Sequence, residues 1–404
     1  MVVERVSSTR GASTVSETIR TECFDETPTR VVSGEGALES SRACLAGMGI
    51  EKALIVCGEN VSKLPEVQQF ALSCSGCVGV EVFCGAAPDP TDANVIEGAR
   101  VGREFGAEMV MAIGGGSSMD CAKAIAAEIG KPGWIASQDR PGQPTSIEHQ
   151  VPPIVCVPTT AGTGSEVNPF SVITFTQTQR KLVLNHEKLF PRCAVLDPRM
   201  LRSAPKEVRV AAGLDALTHA VESYVSLRAT PETRVRAAEA IRGVAKYLAR
   251  VADDAEDMQA QAGLQRAAMI ASLSFAKTRL GIVHAMALPL SALFGVPHGV
   301  ANAMLLPHGM RFNVEADLQG FADIAAYLGA PIEEGKVPEA AMAAPEAVTA
   351  LAAEVGAPAR MSEVGVEADA IERMADDAMQ SAHVQVNPRG VTREDVAAIY
   401  RAAM

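Results

Sequence analysis

The chain has 404 residues, 48% of them hydrophobic and 21% charged, and its 36 Lys plus Arg against 48 Asp plus Glu give a net charge of −12. That length exceeds what one compact core usually holds, and the balance is that of a globular protein rather than a disordered or fibrous one. The acidic excess, without a long basic run, argues against nucleic acid or an anionic membrane as partner, and no apolar run reaches the ~18–20 residues of a membrane span.

The opening MVVERVSSTRGASTVSETIR lacks the apolar core of a signal peptide. It reads as a polar lead-in over residues 1–23, and the cytoplasm is the expected compartment. All nine cysteines lie between Cys23 and Cys193. An odd, scattered set suits reduced thiols better than a disulfide framework. Cys74 and Cys77 form one CxxC. A zinc ribbon needs a second such pair and a redox CxxC usually opens a helix, whereas here strand-like VEVF follows. Two small, partly buried apolar residues are the expectation.

Residues 30–33, 53–57, 78–84, 108–113 and 154–157 are short β-branched runs. Helix-like segments separate several of them, among them Asp92 to Phe105 and Met119 to Ile129. Strands alternating with such segments predict a parallel sheet covered on both faces. In PDPTDANV, Thr91 or Asp92 is the expected N-cap. After about Asp197-Pro198 the texture changes. Residues 207–252, 256–279, 338–380 and 392–403 are long, Ala-rich and periodic at helical spacing, and no convincing strand run follows residue 200. The expected architecture is an α/β domain over 24–200 and an all-α domain over 201–404.

Two loops in the first domain carry ligand chemistry. An apolar strand runs into Gly114-Gly115-Gly116-Ser117-Ser118, with a helix expected to begin near Asp120. Glycines let backbone N–H groups approach a ligand, and a helix N-terminus adds a positive dipole end, so a phosphate fits. The run is not GxGxxG, and three glycines also make a tight turn. After the strand IVCVP comes Thr159-Thr160-Ala161-Gly162-Thr163-Gly164-Ser165-Glu166. Hydroxyls at the end of a parallel strand sit where open α/β sheets bind ligands. Either loop alone reads equally well as a connector; the two together favour a nucleotide cleft.

In the second half, GLDALTHAVES places Asp215 and His219 four residues apart, one helical turn. GIVHAMALPLSALFGVPHG carries His284 and His298. One carboxylate and three imidazoles suit Fe(II) or Zn(II). Bland readings stand beside this one: a helix-face pair for Asp215 and His219, a core histidine for His284, a turn residue for His298. His308 and His383 have no clear partner, and His149 and His186 read as surface residues.

Taken in order, GGGSSMDCAKAIA, PTTAGTGSEV, GLDALTHAVESYVS and GIVHAMALPLSALFGVPHGVANAMLLPH resemble the iron-dependent (group III) alcohol dehydrogenases. FDETPTRVVSGEGALES and NPRGVTREDVAAIYRAA also fit, so the resemblance runs from about residue 24 to the end. It implies a dehydroquinate synthase-like fold: a dinucleotide-binding α/β domain and a helical metal-binding domain, with the metal in the cleft between them. By position, the metal ligands are Asp215, His219, His284 and His298. Gly115, Gly116 and Ser117 hold the pyrophosphate, with Asp120 close by. Thr159, Thr160 and Thr163 line the cofactor cleft, Lys181 reaches the cofactor, and Phe170 lies near nicotinamide and substrate.

Two departures from the family pattern matter. Many relatives carry a histidine four residues after the third ligand, where this chain has Leu288 in an apolar pocket side with Phe294, so a proton route through that side chain is closed. NAD-preferring relatives often place an Asp at the end of the strand ALIVC. Gly58 stands there, which admits NADP, while Glu59 favours NAD.

The resemblance therefore implies reversible hydride transfer between NAD or NADP and a small primary alcohol or aldehyde, with Fe(II) or Zn(II) as Lewis acid. A homo-oligomer, a dimer or a multiple of one, follows from family habit. Rival readings are a polyol dehydrogenase with a different ligand pattern, a maleylacetate reductase-like enzyme working without metal, and a non-catalytic scaffold. The intact ligand set counts against all three.

Overall fold

The computed structural model describes residues 19–47, 49–74, 78–140, 142–178, 180–333 and 335–404. Most of the lead-in and Cys77 of the CxxC lie outside them; Cys74 is buried. The chain divides into two compact units, one running to Thr160 and from Ser165 to Ser203, the other made of Ala161–Gly164 and Ala204–Met404.

The first unit is built on a seven-stranded sheet. Its strands are β1 (Arg20–Phe24), β2 (Thr27–Ser33), β3 (Lys52–Val56), β4 (Gly79–Phe83), β5 (Met109–Gly114), β6 (Ile154–Pro158) and β9 (Cys193–Leu196). They lie in the order β1-β2-β9-β6-β5-β3-β4, with only β1 and β2 antiparallel. Strands β5, β6 and β9 are buried along their whole length, which is why they read as continuous apolar runs. From β3 the chain steps out to β4 and then returns to β5 on the other side of β3. That reversal is the switch point at which open sheets bind ligands beyond the strand ends. A separate hairpin, β7 (Phe170–Phe175) with β8 (Arg180–Asn185), follows β6.

The helices of this unit are α1 (Ala37–Gly47), α2 (Glu59–Ser62), α3 (Pro65–Cys74), α4 (Asp92–Phe105) and α5 (Gly116–Gly130). Thr91 is the N-cap of α4, in a reciprocal capping box with Asn94, and Gly106 closes the helix in the left-handed region at φ 78. Helix α5 starts at Gly116, not at Asp120 as expected, so the small residues Gly116 to Ser118 form its first turn. Its other turns are buried nearly all round by Cys121, Ala122, Ala124, Ile125 and Ala126. His149 and His186 are structural rather than free surface residues. His149 Nε2 lies 2.8 Å from the Ala127 carbonyl, and His186 Nδ1 accepts from the Lys188 amide at 3.1 Å.

The second unit is helical: α6 (Lys206–Val225), α7 (Pro231–Asp253), α8 (Met258–Thr278), α9 (Ile282–Phe294), α10 (His298–Asn313), α11 (Leu318–Tyr327), α12 (Val337–Glu354), α13 (Ile371–Met379) and α14 (Arg393–Ala402). The run expected over 207–252 is two helices. Thr230 caps α7 and Pro231 occupies its first turn, where a missing N–H costs nothing. Likewise 338–380 divides into α12 and α13, with short 3-10 turns between. Among the described residues no strand follows β9, and no helix is long and apolar enough to cross a membrane.

Candidate metal centre and nucleotide loops

Three helices bring the sequence-selected ligands together within the second unit. Asp215 and His219 stand one turn apart on α6, His284 is in the first turn of α9, and His298 opens α10. One ligand atom from each of Asp215, His284 and His298 lies within 4.8 Å of the other two. Nε2 of His219, His284 and His298 are 3.9, 3.7 and 3.9 Å from the same oxygen, Asp215 Oδ1. The first three side chains are buried, whereas the His298 side chain is 35% exposed, so the cluster is open on that side. His219 is the outlier of the four. Its ring stacks between Phe275 and His284, with centroids 4.5 and 4.7 Å away.

Glu222 completes the arrangement one turn beyond His219. It accepts from His284 Nδ1 and from the Val283 amide, both at 2.6 Å. A carboxylate at Nδ1 holds a proton on that nitrogen, so Nε2 is the nitrogen left for a metal when the ring is neutral. Burial opposes charge on Asp215, but the three imidazoles outweigh it and hold the carboxyl far below its usual range. Burial drives His219 down to about 4; His284 is also penalised by burial, but Glu222 and Asp215 lift it to about 9. The start of α9 is fixed from the NPRG segment, where Asn387 Oδ1 accepts from the Ile282 amide at 3.2 Å and from Asn313 Nδ2 at 3.0 Å.

Sequence reasoning passed over three side chains here. Glu222 sits at the third position of an i, i+4, i+7 stripe with Asp215 and His219, a signal present in GLDALTHAVES. Asn302, four residues after His298, places Nδ2 2.7 Å from Asp215 Oδ1 and 3.1 Å from Nε2 of both His284 and His298. His383 has its ring centroid 6.4 Å from that of His284, and burial drives it down to about 4. Leu288 is 36% exposed and Phe294 half-buried on α9, and His308 lies within α10.

The donor set suits a divalent ion. It brings one buried carboxylate oxygen and two imidazole nitrogens together, with His219 Nε2 3.9 Å from the same oxygen and a second carboxylate, Glu222, holding His284.

In the first unit, β5 and β6 run side by side with Gly114 opposite Pro158, so both expected loops leave the sheet together. A Cβ on Gly114 would lie 2.4 Å from Ser118 Oγ, so the turn into α5 tolerates no side chain. Gly115 caps α5 without a side-chain bond, and the first turn holds no acidic residue, leaving amide donors and a dipole end for an anion. The Thr159 amide donates to the Gly114 carbonyl at 3.0 Å, and Thr160 faces Gly115. Lys181 on β8 pairs with Asp89, whose amide reaches Ser117 Oγ at 3.4 Å, which places that ammonium beside the loop. Thr163 belongs to the short segment that packs with the helical unit; there Gly164, at φ +59, lies against Ser272 with no room for a Cβ.

Asp120, expected close to the pyrophosphate, lies one turn into α5. Its Oδ1 accepts from Ser165 Oγ at 2.8 Å and its Oδ2 from the Val172 amide at 3.0 Å. Both oxygens are used inside the unit, where they brace the β6–β7 connection. Next to it, buried Lys123 donates to Ser165 Oγ at 2.6 Å and to the Phe170 carbonyl at 2.7 Å, so Phe170 is held by its backbone. At the end of β3, Gly58 precedes α2, and Glu59 is ion-paired with Lys63 at 2.7 Å on the surface.

Residues 28–198 match the iron-containing alcohol dehydrogenase profile, and residues 209–404 match the C-terminal profile of the Fe-containing alcohol dehydrogenase family. The chain is 37% identical to the 1,3-propanediol dehydrogenase of Citrobacter freundii over 81% of its own length and 84% of the relative's. It is 34% identical to the NAD-dependent methanol dehydrogenase of Bacillus methanolicus over 93% and 98%. Among solved structures, a 1,3-propanediol oxidoreductase superposes with a TM-score of 0.86 at 34% identity, covering 93% of this chain and 97% of that one.

Proposed function

Since the chain belongs to the iron-containing alcohol dehydrogenase family, we propose that its four-residue cluster holds the catalytic divalent ion and its two glycine and hydroxyl loops hold the nicotinamide dinucleotide. The protein is a metal-dependent, NAD(P)-linked oxidoreductase of alcohols and aldehydes. The observation that carries the assignment is the convergence of three Nε2 atoms on Asp215 Oδ1 with Glu222 behind His284.

Asp215, His219, His284 and His298 would hold the ion, which supplies Lewis acidity toward a substrate oxygen. A dinucleotide held by the two loops would supply hydride chemistry, and the protein contributes position and electrostatics. Glu222 keeps His284 in the tautomer with a free Nε2. The amides of Gly116 and Ser117 present donors to the pyrophosphate, and Lys181 adds positive charge beside them. On α9, Leu288 and Phe294 offer apolar surface suited to a short carbon chain, and Phe170 is the position expected near the nicotinamide. Leu288 carries no proton, so proton exchange at the substrate oxygen falls to water or a ribose hydroxyl.

We infer further that residues 24–200 serve as the dinucleotide-binding domain and 201–404 as the metal-binding domain. A cytoplasmic homo-oligomer acting on small primary alcohols and aldehydes completes the reading. Purified protein loaded anaerobically with Fe(II), then with Zn(II), is mixed with NADH or NADPH and a panel of short aldehydes including hydroxyaldehydes. Metal-dependent consumption of reduced cofactor is expected; none with any aldehyde, while dinucleotide still binds, overturns it.

A further inference from the structure

Arg279 ends α8 with a backbone that L side chains rarely adopt. Its φ of 60 and ψ of −175 lie in a region essentially reserved to glycine, and among the described residues only Asp89 shares a positive φ without being glycine. The turn is pinned from both sides. The Arg279 amide donates to the Phe275 carbonyl at 2.8 Å, and its carbonyl accepts from Thr278 Oγ1 at 2.9 Å. Glycine would make the same turn without strain, so a side chain is carried here against a backbone cost. That side chain is exposed and makes no hydrogen bond or ion pair among the described residues.

Arg279 stands at the approach to the metal cluster, five residues before His284. Ser226 ties its turn to the segment leading into NPRG: Ser226 Oγ lies 2.9 Å from the Thr278 carbonyl and 3.5 Å from the Val386 carbonyl. That segment carries half-buried His383, whose ring centroid is 6.4 Å from that of His284 and whose Nδ1 is buried with no partner. Burial keeps His383 neutral, and Arg279 is among the cationic groups around it that act in the same direction.

We propose that Arg279, with His383 beside it, is a specificity site for substrates that carry an anionic group, a carboxylate, sulfonate or phosphonate, at the end of the carbon chain remote from the reacting carbon. The inference rests on the metal-dependent reading above and names its substrate class. A divalent ion would balance the charges of Asp215 and Glu222, so the Arg279 guanidinium leaves the approach net positive in a chain whose overall charge of −12 repels anions elsewhere. A guanidinium grips such oxyanions through two parallel N–H donors, and the neutral imidazole of His383 offers one more.

The Fe(II)-loaded full-length protein is assayed with NADH and NADPH on butanal and on three aldehydes ending in an anion: 4-oxobutanoate, 2-oxoethanesulfonate and 2-oxoethylphosphonate. At least one anionic aldehyde should exceed butanal in kcat/KM by about 10-fold or more, and the best of them identifies the oxyanion. Arg279→Gly should cut that ratio by about 10-fold or more, chiefly through KM. Its melting temperature should stay at or above that of wild type, because the strained backbone is relieved. Titration calorimetry with the hydroxy form of the best aldehyde (4-hydroxybutanoate, 2-hydroxyethanesulfonate or 2-hydroxyethylphosphonate) should show the same loss without turnover. Arg279→Lys keeps the charge without the fork and should recover part of the ratio.

No anionic aldehyde outrunning butanal overturns the proposal, as does a folded Arg279→Gly protein with the wild-type ratio and the wild-type affinity for the hydroxy anion. If that variant does not fold, Arg279→Gln decides by the same ratio. Absence of turnover with every aldehyde overturns the metal-dependent reading and this inference with it. Turnover that does not discriminate between charged and uncharged aldehydes removes only the inference.

Discussion

Glu222 Oε2 accepts from His284 Nδ1 at 2.6 Å, across 62 positions of sequence, and its other oxygen accepts the Val283 amide. One carboxylate therefore sets both the tautomer of a proposed ligand and the path of the helix that carries it. Glu222→Gln keeps the size but removes the charge that favours the His284 N–H. Metal affinity is expected to fall roughly 10–100-fold, the usual cost of losing such a partner, while the folded state persists. Chelator competition on the purified variant measures this; an unchanged dissociation constant would show that His284 orients itself without help.

Cofactor preference turns on the end of β3. Gly58 offers no carboxylate to a ribose hydroxyl, and Glu59 is drawn away to Lys63. A 2′-phosphate thus meets no built-in repulsion there. Gly58→Asp should lower kcat/KM for NADPH about 10-fold or more while leaving that for NADH within a few-fold. A Cβ at Gly58 would sit 3.2 Å from the Ala86 carbonyl, a tight but adjustable contact, so the variant should fold. Equal losses with both cofactors would place the adenosine ribose elsewhere.

The sheet of the first unit was legible because its central strands are buried on both faces and so appear as unbroken apolar runs. The β7–β8 hairpin was not, although FSVITF alternates buried and half-buried positions, because the preceding glycine and threonine loop reads as the end of an element. Helix α5 begins a turn earlier than its sequence suggests, because Gly116, Ser117 and Ser118 are poor helix formers by propensity yet make up its first turn. In the metal cluster, the one-turn spacing of Asp215 and His219 suggested a pair, and the full ligand set came from the family resemblance. Glu222 shares their helix stripe, but its partner His284 lies on another helix, and the approach of Asn302 to Asp215 and His284 is likewise visible only in the fold.

The turn from β5 into α5 is closed to side chains. In Gly114→Ala the new methyl would lie 2.4–2.5 Å from Ser118 Oγ and Cβ, so the first turn of α5 must shift. That turn carries the amides proposed for the pyrophosphate. Dinucleotide affinity should drop at least about 10-fold and stability by roughly 1–3 kcal/mol. Titration calorimetry with NADH and a metal-binding assay on the same sample separate the effects, because the metal cluster belongs to the other unit and should keep its affinity.

Glu166 gives the chain a pH dependence of known sign. Burial pushes its carboxyl up to about 7, with a backbone bond and Lys123 opposing. A folded-state value above the unfolded one means the neutral acid is the form the fold prefers. Its contribution to stability is complete below the ordinary carboxyl range and is lost as pH rises through about 7. Glu166→Gln mimics the neutral acid at every pH. Denaturant unfolding at about pH 5 should therefore find the two proteins nearly equal. At about pH 9 the variant should be more stable by roughly 3 kcal/mol, the free energy that separates the ordinary carboxyl range from about 7. If the difference instead widened toward acid, Glu166 would be held as a carboxylate by Lys123, and the buried pair would be ionic throughout.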